Sequence, residues 1–177
     1  MKKIFIMMLS LVLVLSVALT GCGKKEEAVA GPVLEGQTPA QIIDALYAVH
    51  APEFGVATIE LDDSDPDMLY YMTGLSDLSL VSEIAVSESM IGSQAYSLGV
   101  ARLAEGVDAE TLAQTFADNL DPIKWVCVEA DDMRIVACGD VVMFVMVSSE
   151  YASSITAQNM VDAFVEVCGA ELTIDLK

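Results

Sequence analysis

Asp62, Asp63, Asp65 and Asp67 form the densest run of chemically capable side chains, with Ser64 and Pro66 between them. Acids at alternate positions are what an oxygen-ligand cation site asks for, because a hard divalent cation is held by several carboxylate and carbonyl oxygens. The helix-loop-helix calcium loop also requires Gly at its sixth position and Glu at its twelfth. Counted from Asp63, those positions hold Met68 and Gly74, so that motif fails. A weak cation site of another kind at Asp62, Asp63, Asp65 and Asp67 stays open. Against it stands a structural reading in which Asp65 caps a helix, Pro66 opens it, Asp67 favours its positive end and Gly74 stops it. The sole histidine, His50, follows a helical stretch and precedes Pro52. It reads as a partner for the last helix carbonyls rather than as a general base. No Gly-rich phosphate loop is present, and paired carboxylates cannot be singled out among 27 acids. The chain therefore reads as a non-enzyme with no catalytic residues, no cofactor and no firm metal-ligand set.

Cysteine chemistry points elsewhere. Lys2 and Lys3 open the chain, Ile4 to Leu19 is an almost unbroken apolar run, and Leu19-Thr20-Gly21-Cys22 closes it with small residues before a thiol. A positive start, a short apolar run and a small-residue exit define an export signal. The closing tetrapeptide resembles the lipobox of bacterial lipoproteins. That resemblance implies a diacylglycerol on the Cys22 sulfur and cleavage between Gly21 and Cys22, leaving Cys22 as the new N-terminus. A retained transmembrane helix is the alternative, but the run sits at the short limit for a span. Two acyl chains anchor firmly where one is marginal. The remaining thiols, Cys127, Cys138 and Cys168, are odd in number and contain no Cys-x-x-Cys, which argues against a closed disulfide framework or a zinc site. A Cys127–Cys138 bridge is open to an exported chain, beside the reading of all three as small hydrophobes.

Lys2 and Lys3 belong to the leader, so six basic residues face all 27 acids in the remainder, a formal charge of −21. Such a chain has no basic footprint for nucleic acid. Anionic lipid head groups repel it within roughly 8–10 Å. Its partners are then cations, cationic patches on other proteins or neutral solutes, unless the charge serves solubility alone.

The boundaries predicted are a signal peptide at 1–21, the lipidated Cys and a flexible tether at 22–37, and one extracytoplasmic domain at 38–177. The tether mixes charge with Gly and Pro and spans roughly 20 Å as a coil. In the domain, Thr38 and Gln41 form a capping box around Pro39, opening a helix to Val49. Asp65-Pro66 opens a second. Val81 to Val86 and Ala95 to Leu103 read as strands, followed by a helix capped by Asp108 with Leu112, Phe116 and Leu120 on one side. Met133 to Cys138 and Val141 to Val147 flank the hairpin turn Gly139-Asp140, which pairs Cys138 with Val141 and Ile135 with Phe144. The second arm is apolar on both faces, which implies a central strand covered on both sides or one side offered to a partner. A helix from Ile155 to Cys168 stops at Gly169, with Cys168 turned to the core.

Two strand-strand-helix units follow, at 81–120 and 133–168. They predict an α+β fold with an antiparallel sheet of about four strands, both unit helices on one face and the N-terminal helices on the other. The lipobox signal, the Asp-rich turn into Met68-Leu69-Tyr70-Tyr71, and Gly139 to Val145 before a closing helix with Phe164 resemble a family of uncharacterised Gram-positive bacterial lipoproteins. That resemblance implies a single α+β domain on the cell membrane and brings no activity or site residues. The expectation is a membrane-anchored extracytoplasmic lipoprotein that binds another envelope protein or serves as an accessory subunit. The alternative is a solute- or cation-binding lipoprotein.

Overall fold

The computed structural model describes residues 34–177, so the leader, the Gly21–Cys22 junction and the chain to residue 33 lie outside the described residues. The elements are α1 (Pro39–Val49), β1 (Val56–Leu61), α2 (Pro66–Thr73), β2 (Val81–Ser89), β3 (Tyr96–Leu103), α3 (Ala109–Asn119), β4 (Asp132–Cys138), β5 (Val141–Val147), α4 (Ala157–Cys168) and β6 (Ile174–Leu176). The strands make one antiparallel sheet in the order β1-β2-β3-β5-β4-β6.

Local chemistry accounts for the helix ends. Thr38 and Gln41 form the reciprocal capping box of α1, and Asp65 Oδ1 accepts the Met68 N–H at 3.0 Å to start α2. Asp108 caps α3 through the Thr111 N–H at 2.8 Å, and Thr156 with Asn159 caps α4. Each bond satisfies a backbone donor that the first turn leaves without a partner. Gly74 ends α2 at φ 71°, where a Cβ would also stand 2.7 Å from the backbone of Asn119.

The α+β class agrees with the sequence; the count of about four strands does not, because the sheet has six. Both additions are edges. β1 is exposed along its four central residues, so no alternation marks it, and β6 is three residues long. Edge strands of this kind are stabilised by backbone pairing more than by burial. The helix placement also differs. α3 packs over β4, β5 and β6, and α4 packs over β4 and β5. Two helices over the same strands must take opposite faces, so α1 joins α4 on one side and α2 joins α3 on the other.

This arrangement explains the uniformly apolar β5. Val141, Met143, Val145 and Val147 enter the layer with α1 and α4, while Val142, Phe144 and Met146 enter the layer with α2 and α3. All seven are fully buried, as a central strand between two helical layers requires. The pairing of Cys138 with Val141 and Ile135 with Phe144 is observed. Phe144 lies across from Gly99 and makes an edge contact with Phe116 at 5.0 Å between ring centroids. A Cβ on Gly99 would fall 2.1 Å from Phe144 Cε1, so glycine supplies the space for the ring.

Leu34 to Gln37, the last residues of the stretch read as tether, lie against the domain. The Arg102 Nη2 donates to the carbonyls of Leu34 and Gln37, each at 3.1 Å, and its Nη1 to Asp140 at 2.5 Å. The chain thus enters at the end of the sheet that carries the β4–β5 turn.

Candidate functional site

The opposite end of the sheet carries the most unusual side-chain arrangement. Residues 120 to 131, between α3 and β4, have no regular structure, and two backbone bonds shape them: Ala130 N–H to the Pro122 carbonyl and Val126 N–H to the Gly92 carbonyl, both 2.9 Å. The second joins this loop to the β2–β3 connection. Lys124 points inward from it, with its side chain only 2% exposed. Its ammonium pairs with Glu88 and donates to the Met72 carbonyl at 3.3 Å and to Ser97 Oγ at 3.5 Å. It also lies over the rings of Tyr71 and Trp125, at 5.3 and 5.1 Å from their centroids.

Each partner has a positional reason. Glu88 and Ser97 are cross-strand neighbours at the ends of β2 and β3, and Met72 presents a carbonyl from the last turn of α2, the negative end of that helix. Burial lowers the Lys124 pKa below its usual 10.5, and the Glu88 carboxylate partly offsets this. The ammonium is enclosed by Glu88, Ser97, the Met72 carbonyl and the two rings. The arrangement is therefore a positioning device that fixes the loop against α2 and the sheet.

What the loop displays is apolar. Ile123 and Val126 are 63% and 68% exposed, and Met90 and Ile91 in the adjoining connection are 71% and 55% exposed. Cys127, also exposed, takes φ 61°, a left-handed conformation that costs a non-glycine residue roughly 1–2 kcal/mol. The Tyr71 hydroxyl donates to the Lys124 carbonyl at 3.3 Å and adds a half-exposed ring beside the loop. Glu53, Asp121, Glu129 and Asp131 line the same end and are exposed.

The residues singled out from sequence fall elsewhere. Asp62, Asp63, Asp65 and Asp67 lie together on the β1–α2 connection and are all exposed. Asp62 accepts from the Ser64 N–H and hydroxyl at 2.9 and 2.5 Å, which lowers its pKa, and Asp65 is the α2 cap. Two of the four carboxylates thus serve the backbone, and no group of three His, Cys, Asp or Glu among the described residues is placed to hold a metal ion. His50 ends α1, but its ring turns away from that helix: Nε2 donates to the Ser154 carbonyl at 3.1 Å, tying α1 to the segment before α4. Cys127 and Cys138 sit at opposite ends of the sheet, about 20 Å apart by strand rise. A disulfide needs Cα atoms within roughly 7 Å, so the Cys127–Cys138 bridge is excluded. Cys22 and Gly21 lie outside the described residues. Two shallow depressions lie along the outer face of α3, lined by Asp108, Thr111 and Asp118, and between α2 and α3, lined by Tyr70, Asp77 and Asn119. The Lys124 enclosure escaped sequence reading because its partners come from three distant segments. Compared with protein-family models, curated proteins and solved structures, the chain finds no match.

Proposed function

We propose that this chain is a membrane-anchored extracytoplasmic lipoprotein, attached through Cys22, that acts as a non-enzymatic adaptor for another envelope protein. The observation that carries the reading is the joined pair of loops exposing Met90, Ile91, Ile123 and Val126 at the end of the sheet remote from where the chain enters at Leu34. β3 runs from one end to the other, about 20 Å. A tether leaving near Arg102 therefore presents these loops away from the lipid surface. Contiguous exposed apolar groups rimmed by polar residues are the usual mark of a protein contact. Here Glu53, Asp121, Glu129 and Asp131 are exposed around the loops, and Lys124 is buried on Glu88. The partner surface is accordingly an apolar centre bordered by Lys and Arg.

The test uses the full chain in its own cells with a photo-crosslinking residue at position 91 or 126. The expected result is a specific adduct with one envelope protein, lost at high salt and lost when Val126→Asp is introduced. A probe at Gln114 on α3 that yields the same adducts, or an absence of adducts from both loops, would overturn the reading.

A further inference from the structure

Alternation along β4 sends Cys138 into the α1–α4 layer with Val136. Cys168 is the last residue of α4 and packs on that same layer while keeping partial solvent access. Five residues beyond Cys168, the Thr173 N–H donates to the Ala137 carbonyl at 2.8 Å, so the chain leaving α4 runs back along the end of β4. The two thiols, 30 positions apart in the chain, are close enough to act on each other's ionisation. Cys127, the remaining described thiol, is at the far end of the sheet and cannot compete. Helix end and hairpin thus bring one buried and one partly accessible thiol to the same layer at the same end of the sheet.

We propose that Cys138 and Cys168 are joined as a disulfide that staples α4 to the β4–β5 hairpin beside the Arg102–Asp140 entry point. The oxidising environment it requires rests on the export part of the proposed function; the geometry does not. The reaction takes its oxidant from a small-molecule disulfide such as oxidised glutathione, or from an extracytoplasmic thiol-oxidase disulfide. The Cys168 thiolate attacks one sulfur of the oxidant and expels the other as a thiolate. The Cys138 thiolate then displaces the second oxidant sulfur from Cys168. Two protein thiols lose two electrons and two protons, and the oxidant disulfide becomes two thiols. Burial pushes the Cys168 thiol up to about 12 and raises Cys138 as well. Few thiolates exist once the layer is packed, so the bond forms during folding and the packed reduced protein oxidises slowly.

The experiment unfolds and reduces the purified full-length chain, refolds it in mixed reduced and oxidised glutathione, alkylates free thiols and digests after glutamate without reduction. The expected product links Ala130–Glu150 to Val167–Glu171, with alkyl label on Cys127 and not on Cys138 or Cys168. The melting temperature of this form should exceed that of the reduced chain by roughly 5–15 °C, a difference absent from Cys168→Ser. Alkyl label on both Cys138 and Cys168 after refolding, or linkage of either to Cys127, overturns the proposal. Because refolding needs no compartment, failure here is separate from failure of the export reading, which is decided by the mass of the N-terminal peptide from cells.

Discussion

Lys124 and Glu88 form an ion pair beneath the last turn of α2, with the two side chains 2% and 14% exposed. The pair holds an otherwise irregular loop at a fixed height on the sheet, and that height sets where Ile123 and Val126 are displayed.

Removing the cation alone should be the costly change. Lys124→Met leaves the Glu88 charge enclosed, and a loss of about 3 kcal/mol is expected in urea unfolding; Lys124→Met with Glu88→Leu should recover most of it. The pH dependence has a defined sign. Because burial lowers the folded-state Lys124 pKa below 10.5, the unfolded chain holds that proton more tightly. Wild type should therefore gain stability relative to Lys124→Met as pH rises from the lowered value towards 10.5. A flat difference across that window would contradict the burial.

Acid should act through the caps. Hydrogen bonds from Ser64, Ser79, Thr111 and Ser149 hold Asp62, Asp77, Asp108 and Asp131 below the ordinary 3.8. Groups depressed in the folded state contribute stability that is complete above the ordinary value and lost as pH falls through the lowered one. The urea midpoint should fall below about pH 4.5, and Asp108→Asn, which keeps a capping oxygen without its charge, should show a shallower fall.

Gly99 should tolerate nothing larger. Gly99→Ala places a methyl on the Phe144 ring, and a loss of about 3 kcal/mol is expected by thermal or urea unfolding. Phe144→Leu in that background should return part of it, since the ring is what the methyl strikes.

The exposed loops should be dispensable for folding. Ile91→Asp and Val126→Asp are expected to change stability by less than about 0.5 kcal/mol, measured by urea midpoint, while abolishing recovery of the cross-linked partner. A large stability loss would show that these side chains serve the fold.

Calcium should do little. With Asp62 and Asp65 committed to Ser64 and Met68, millimolar calcium chloride is expected to move the melting temperature by less than about 1 °C. A larger rise, removed by changing Asp63 and Asp67 to Asn, would show cation binding by linkage.

Elements whose information is local were legible in the sequence alone. Thr38 with Gln41, Asp65 with Pro66, Asp108 and Gly139-Asp140 specify their caps and turn within four residues, and the unbroken apolar run of β5 announces burial on both faces. What tertiary structure decided is whatever depends on contacts across the chain. β1 and β6 become strands because a neighbouring edge supplies hydrogen bonds, not because their own residues alternate. The faces taken by α3 and α4 follow from both helices crossing β4 and β5. Glu88, Ser97, Met72 and Lys124 converge only when β2, β3, α2 and the loop are assembled, and Cys138 shares a layer with Cys168 and not with Cys127 because α4 packs back over β4. Caps and periodicity are set by neighbours along the chain, whereas pairing partners and enclosed charges are set by neighbours in space.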